Sequence, residues 1–323
     1  MVKERLIRKK QNTMYTQTQR AFGRFQRYEL SDEAGRNRLA VSPDGCACLL
    51  ELTLGGCPLL DAYQTPEELA GNAWYKNVPL FPFPNRLADG TYEWGGRQLQ
   101  FDINDGATNN ALHGLSRDFA TTVERIDLQA ESASITCRYQ DAGSEPAYPF
   151  LYTFEATYRL SDRDRFEGTL RFRNDSDRAI PVGLGWHPYF RLSDRIDELA
   201  LQLPPCEMIG IDQRMLPTGK RYEYDDFSAL NPVGATVLDN CFALDPETGR
   251  AEVILQNDTG RLHYWQETGP GKFNFLQVFT HPDRHALAIE PMTCNIDAFH
   301  NGEGLITLQP EEEVRASFGL WWE

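Results

Sequence analysis

Three short segments place polar groups where chemistry is possible. In Ala111-Leu-His-Gly-Leu-Ser-Arg-Asp-Phe119, His113 is followed by a glycine. In Gly183-Leu-Gly-Trp-His-Pro-Tyr-Phe-Arg-Leu192, His187 sits among aromatics and a proline. In Ala286-Leu-Ala-Ile-Glu-Pro-Met292, Glu290 interrupts the end of an apolar run. A carboxylate in such a run is desolvated, which raises its pKa and makes it a better base. Asn85-Arg86 follows Phe81-Pro-Phe-Pro84 and sets a cation beside a rigid, aromatic-lined loop. His281-Pro-Asp-Arg-His285 has the spacing of a metal-binding pair. Pro282 argues against a helix presenting both rings, no third ligand is evident, and no metal is expected. G-x-G-x-x-G, P-loop and G-x-S-x-G motifs are absent; Pro217-Thr218-Gly219-Lys220 lacks the upstream glycines.

Strands must position these groups, because the dominant period is two. Cys46, Cys48, Leu50, Leu52 and Leu54 alternate with other residues and stop at Gly55-Gly56. Phe150, Tyr152, Phe154, Ala156, Tyr158 and Leu160 alternate likewise, as do Phe166, Gly168, Leu170 and Phe172. Val314, Ala316, Phe318, Leu320 and Trp322 repeat the pattern. Such alternation marks strands with one buried face. Thr91 to Phe101 predicts a hairpin around Gly95-Gly96. The best helical signal is Thr65-Pro66-Glu67-Glu68, an N-cap, a first-turn proline and a capping-box glutamate, opening a short helix towards Trp74. The expectation is an all-β protein, one large antiparallel β-sandwich over residues 22–323 with few short helices.

Composition narrows the function classes. The chain has 323 residues, 41% hydrophobic and 24% charged, which excludes a disordered or fibrous protein. The net charge of −15 argues against nucleic acid as a partner. Residues 1–20 hold six basic groups and one acid, leaving −20 on the other 303 residues. Residues 1–21 read as a flexible basic tail, with Met14 an alternative start. Seven scattered cysteines without C-x-x-C suggest reduced thiols and a cytoplasmic location. The sequons at Asn174 and Asn257 then carry no glycan. No apolar run suits a membrane, and a monomer or homodimer is expected.

Together these segments resemble the aldose 1-epimerase (galactose mutarotase) family over roughly residues 22–323. Asn85-Arg86-Leu87-Ala-Asp-Gly90 and the following hairpin resemble the family's Asn-Arg motif, and Leu112-His113-Gly114 its His-Gly motif. His187-Pro-Tyr-Phe190 is similar to its His-x-Tyr-Phe segment. Leu216-Pro-Thr-Gly219 resembles its substrate-side loop, Leu238-Asp239-Asn240 its sugar-binding aspartate, and Ile289-Glu290-Pro291 its Glu-Pro motif. The resemblance implies a β-supersandwich and interconversion of aldose anomers without a metal or redox cofactor. It implies Glu290 as base and His187 as acid, with His113 positioning the ring oxygen or sharing the proton. It implies Arg86, Asn85 and Asp239 as sugar-binding residues. Trp186, Tyr189 or Phe83 could pack on the sugar's apolar face.

The pattern also departs from the family. Thr-Asn-His-Ser-Tyr-Phe becomes Gly-Trp-His-Pro-Tyr-Phe, His-Gly-Gly becomes His-Gly-Leu, and Met-Thr-Cys-Asn follows Glu-Pro in place of Gln-His. These changes point to a divergent branch and a sugar other than galactose. A related reading is a hexose-6-phosphate epimerase using Arg86, Arg117, Lys220 and Arg221. Others are a non-catalytic sugar-binding protein, and a glycosidase or lyase using Glu290 and Asp239.

Overall fold

The computed structural model describes residues 14–117 and 119–323. A nine-stranded sheet runs in the spatial order Thr122–Leu128, Ser132–Ala142, Leu151–Ser161, Arg165–Asn174, Glu313–Trp322, Arg261–Glu267, Arg250–Gln256, Ala200–Gln202 and Asn231–Pro232. An eight-stranded sheet runs Pro217–Glu223, Cys206–Ile211, Asp239–Leu244, Phe275–Thr280, Leu287–Met292, Gly185–Trp186 and Pro79–Leu80. Tyr189–Phe190 also pairs with Leu287–Met292. Residues Tyr15 to Pro58 form a five-stranded meander. Neighbouring strands pair antiparallel. The fold is all-β, as the period-two pattern predicts.

The predicted alternation holds in Leu151–Ser161, where Tyr152, Phe154, Ala156, Tyr158 and Leu160 are buried and Arg159 is exposed. It fails in Cys48–Leu54, where every residue but Glu51 is buried. That strand is paired on both edges and covered on both faces. Cys46 lies before it, in a turn with φ 63°. The hairpin forms as Thr91–Trp94 and Arg97–Gln100. The helix forms as Pro66–Gly71, with both halves of the capping box made by Thr65 and Glu68. None of the seven cysteines, all among the described residues, is in a disulfide. Among the described residues no helix is long and apolar enough to cross a membrane.

The predicted tail over residues 1–21 needs correction. Residues 1–13 lie outside the described residues, but Tyr15–Phe22 is a strand in full register with Phe25–Asp32. It is an edge strand of polar residues anchored by buried Tyr15, so backbone hydrogen bonds hold it where an apolar pattern does not.

Two aromatic contacts fix the segments that carry the polar groups. Phe81, four residues before Asn85, stacks on Phe154 of the nine-stranded sheet at 4.3 Å. Trp186 stacks on Phe318 at 4.4 Å and 13°. Because side chains alternate along an extended chain, Trp186 entering the core directs His187 to the opposite side.

Candidate active site

The site lies on one face of the eight-stranded sheet, in a pocket of about 220 Å³ lined by Trp74, Tyr75, Asn85, Arg86, His113, His187, Tyr189, Asp239, Gln277, Phe279 and Glu290, with Ala73 and Leu112. All six predicted site residues line it. Strand register brings them together. Gln277 lies directly opposite Glu290, and Asp239 opposite Phe279. His187 lies between Gly185–Trp186 and Tyr189–Phe190, which both pair with Leu287–Met292. Arg86–Ala88 pairs with Asn110–Leu112, with Arg86 opposite Leu112, so Asn85 faces His113.

The backbone at this junction is left-handed, with φ near 60° at both Asn85 and His113. Asparagine tolerates that conformation; a histidine there costs energy that the surroundings must supply. Two hydrogen bonds lock it: His113 N–H donates to the Asn85 carbonyl at 2.9 Å, and Asn85 N–H donates to His113 Nδ1 at 3.1 Å. Next to it, Gly114 has φ 55°, and a Cβ there would meet the Phe81 carbonyl oxygen at 2.5 Å. Since His113 Nδ1 accepts, the neutral ring carries its proton on Nε2 and is a donor there. Burial, with His187 and Arg86 adding to it, holds His113 well below the ordinary imidazole pKa.

His187 and Glu290 form the centre. His187 Nε2 lies 3.5 Å from Glu290 Oε1, and both side chains are buried. The rings of His113 and His187 meet edge to face at 5.0 Å, and Tyr189 stacks on His187 at 5.0 Å. Glu290 Oε2 and His187 Nδ1 are buried without a hydrogen-bond partner. Burial, reinforced by the Asp239 charge and opposed by Arg86, pushes the Glu290 carboxyl well above the carboxylate range. Burial pushes His187 down to about 3. A site that disfavours charge on both members leaves one proton to be shared between them.

Polar groups line the opposite wall. Arg86 donates through Nε to Asp105 at 2.9 Å, and Thr108 donates to the same carboxylate oxygen at 2.6 Å. Burial would raise Asp105, but these bonds from Thr108 and Arg86 outweigh it and hold its pKa low. Gln277 accepts from Asn85 Nδ2 at 3.1 Å and donates to Asp239 Oδ1 at 2.7 Å. Burial raises the Asp239 pKa, with Arg86 opposing it.

Gln277 was missed from sequence, as were Trp74, Tyr75 and Phe279. For Gln277 a signal existed: it is the one strongly polar residue in Phe275–Thr280, a strand of mostly apolar side chains. Of the three aromatics considered, only Tyr189 lines the pocket. Phe83 packs edge to face on Phe101 at 5.0 Å, and Trp186 is in the core. Leu216-Pro-Thr-Gly219 is not at the pocket either. Its last three residues open the edge strand Pro217–Glu223, which is largely exposed. Arg117, Lys220 and Arg221 are also absent from the lining, and Arg221 is paired with Glu207 and Glu303. Ligand atoms of His113, His187 and Glu290 lie within 4.8 Å of one another, so the trio has the make-up of a metal site as well as of an acid–base site.

The antiparallel sheets build the fold of the galactose mutarotase-like class. A galactose mutarotase-like protein from Clostridium acetobutylicum superimposes with a TM-score of 0.84 at 20% identity, over 96% of this chain and 98% of that one. The signature of the family described as Aldose 1-epimerase matches residues 26–321, and the chain belongs to that family. The uncharacterized Escherichia coli (strain K12) protein YihR is 27% identical over 283 residues, 85% of this chain and 87% of YihR. The galactose mutarotase of Sus scrofa is 28% identical over 159 residues, 48% of this chain and 42% of the pig protein.

Proposed function

We propose that the protein is a mutarotase that interconverts the α and β anomers of a free aldose. The observation that carries this reading is the buried His187–Glu290 pair at 3.5 Å, in a pocket it shares with Arg86, Asp239 and Gln277. The pig relative's name, galactose mutarotase, supports it.

Opening an aldose hemiacetal needs one base and one acid. Glu290, its basicity raised by burial, takes the C1 hydroxyl proton. In the reactive form the pair's one shared proton sits on His187, and this imidazolium, made a stronger acid by burial, gives it to the ring oxygen as the C1–O5 bond breaks. The aldehyde turns about the C1–C2 bond. The C5 hydroxyl then attacks C1 from the other face, returning its proton to His187 while Glu290 returns its own to the C1 oxygen. The pair starts and ends the cycle in the same state. Each such group contributes roughly 10²–10⁴ in rate. His113 Nε2–H donates to the ring oxygen and holds it in place. Arg86 donates to sugar hydroxyls, and Asp239, oriented by Gln277, accepts from them. Tyr189, Phe279 and Trp74 offer apolar surface to the ring.

The phosphorylated-sugar reading is less well supported. Among the described residues Arg86 is the single cation lining the pocket, its Nε is committed to Asp105, and two further carboxylates share the space. The test is polarimetry on freshly dissolved α-D-glucose and α-D-galactose at low temperature, with wild type and Glu290→Gln. Acceleration with either sugar, lost in the variant, is expected. Acceleration that survives in Glu290→Gln, or equilibration of glucose 6-phosphate alone, would overturn the reading.

A further inference from the structure

The hairpin that carries Gln277, Phe279 and Glu290 turns at residues 281–286, between Phe275–Thr280 and Leu287–Met292. At its tip two imidazoles and a backbone N–H converge on one carboxylate oxygen. Asp283 Oδ1 lies 2.6 Å from His281 Nδ1, and it contacts His285 Nδ1 and, at 3.2 Å, the His285 N–H. The two imidazoles meet at 4.6 Å between centroids. Among the described residues Asp283 is the one hydrogen-bonding partner of the His281 ring, since its Nε2 is buried without any.

His285 is held from behind. Its Nε2 lies 2.9 Å from Asp61 Oδ2, and Asp61 is itself bound by Lys76. Histidines that ligate metals commonly donate their second ring N–H to a carboxylate, which fixes the tautomer and turns the other nitrogen to the ion. A neutral imidazole has only one N–H. If Nε2 donates to Asp61, the Nδ1 lone pair faces the Asp283 carboxylate, and only a proton or a cation between them makes that contact favourable. Two imidazole nitrogens and one carboxylate, with outer positions open because Asp283 is exposed, match the donors of a zinc-type ion with solvent completing its shell.

The geometry points to a binding site for one divalent ion of the zinc class, formed by His281, Asp283 and His285 and backed by Asp61. Trp74 packs on His281 at 4.6 Å and also lines the pocket, so the ion would stiffen the tip of the strand pair that presents Glu290. The site is independent of the anomer chemistry and does not rest on it. The sequence alone argues against it because Pro282 excludes a helix. A hairpin turn brings the same residues together and adds Asp283.

The test uses the full chain, stripped with chelator and titrated with ZnCl₂ by calorimetry at pH 8, where free imidazole is neutral. One ion per chain is expected, with a rise in melting temperature. X-ray absorption should show imidazole nitrogen and oxygen neighbours at about 2.0–2.1 Å and no sulfur. Asp283→Asn and His285→Gln should each abolish binding, and Asp61→Asn should weaken it roughly 10–100-fold. Binding should persist in His187→Gln, which separates this site from the pocket trio. No zinc uptake by wild type, sulfur in the spectrum, loss of binding in His187→Gln, or unchanged binding in both Asp283→Asn and His285→Gln would each overturn the proposal.

Discussion

The same hairpin contributes to two histidine–carboxylate groups built on opposite principles. Near its inner end, Glu290 and His187 are buried, 3.5 Å apart, and each has a polar atom with no hydrogen-bond partner. At its tip, the Asp283 carboxylate is met by two imidazole Nδ1 atoms and a backbone N–H. The physical outcome differs accordingly. Burial without partners drives Glu290 up and His187 down, so both are poised to exchange a proton. Burial would raise Asp283 too, but the contacts with His285, its backbone N–H included, and with His281 outweigh it and hold its pKa low. Partners stabilise charge and make a good ligand; their absence makes a good acid–base pair.

The largest expected effect comes from removing the reactive member. Glu290→Gln should lower the maximal rate of anomer exchange by about 10²–10⁴, read by polarimetry, while thermal melting shows a protein at least as stable as wild type at neutral pH. A loss of stability instead would place Glu290 among supporting residues and break the contrast with Asp283. Trp186→Ala should act in the reverse sense. It empties the stack against Phe318 and should cost about 3–5 kcal/mol in denaturant unfolding. It should also lower the rate, because Trp186 sets the direction of His187.

Stability against pH sharpens the comparison further. His187 has a folded pKa of about 3, below its ordinary 6.5, so the stability it contributes is complete above pH 6.5 and is lost as pH falls towards 3. Glu290 has a raised folded pKa, so its contribution is complete below about 4.5 and fades as pH rises through the folded value. His187→Gln should therefore flatten the acid limb of the stability profile, by at most about 1.4 kcal/mol per pH unit. His113, lowered by burial as well, should keep part of that limb. Glu290→Gln should flatten the alkaline limb alone. Urea unfolding at stepped pH distinguishes the two, and a variant that flattens the wrong limb would refute the assignment of the shared proton.

These differences also explain what could be read from sequence. The inner face of the nine-stranded sheet was legible because Phe154, Leu170 and Phe318 repeat every second residue and nothing but packing selects them. Glu290 was legible because a carboxylate in an apolar run violates that rule. Cys48–Leu54 misled because burial on both faces erases the period. Tyr15–Phe22 was missed because an edge strand needs backbone partners and few apolar side chains. Gln277 leaves a trace in the sequence as the polar residue of an apolar strand, but only pairing sets it across the ladder from Glu290, and only a turn brings Asp283 between two histidines. Side-chain period reports which face is buried; it says nothing of which strands meet.

The smallest effect concerns a segment belonging to neither histidine group. The helix Pro66–Gly71 leads through Asn72 to Trp74 and Tyr75 on the pocket wall. Its N-cap Thr65 accepts from the Glu68 N–H at 3.2 Å, and Glu68 returns the bond to the Thr65 N–H at 3.3 Å. Thr65→Ala removes one half of that box and should cost about 1 kcal/mol of stability. Asn72 remains tied by Tyr63 Oη, which donates to its Oδ1 at 2.9 Å, so the aromatic wall keeps its place. The maximal rate and its pH profile should stay at wild-type values, with at most a small rise in KM. A changed pH profile would mean that the helix start is coupled to the proton shared by His187 and Glu290, and the separation between supporting and reactive regions would have to be redrawn to include it.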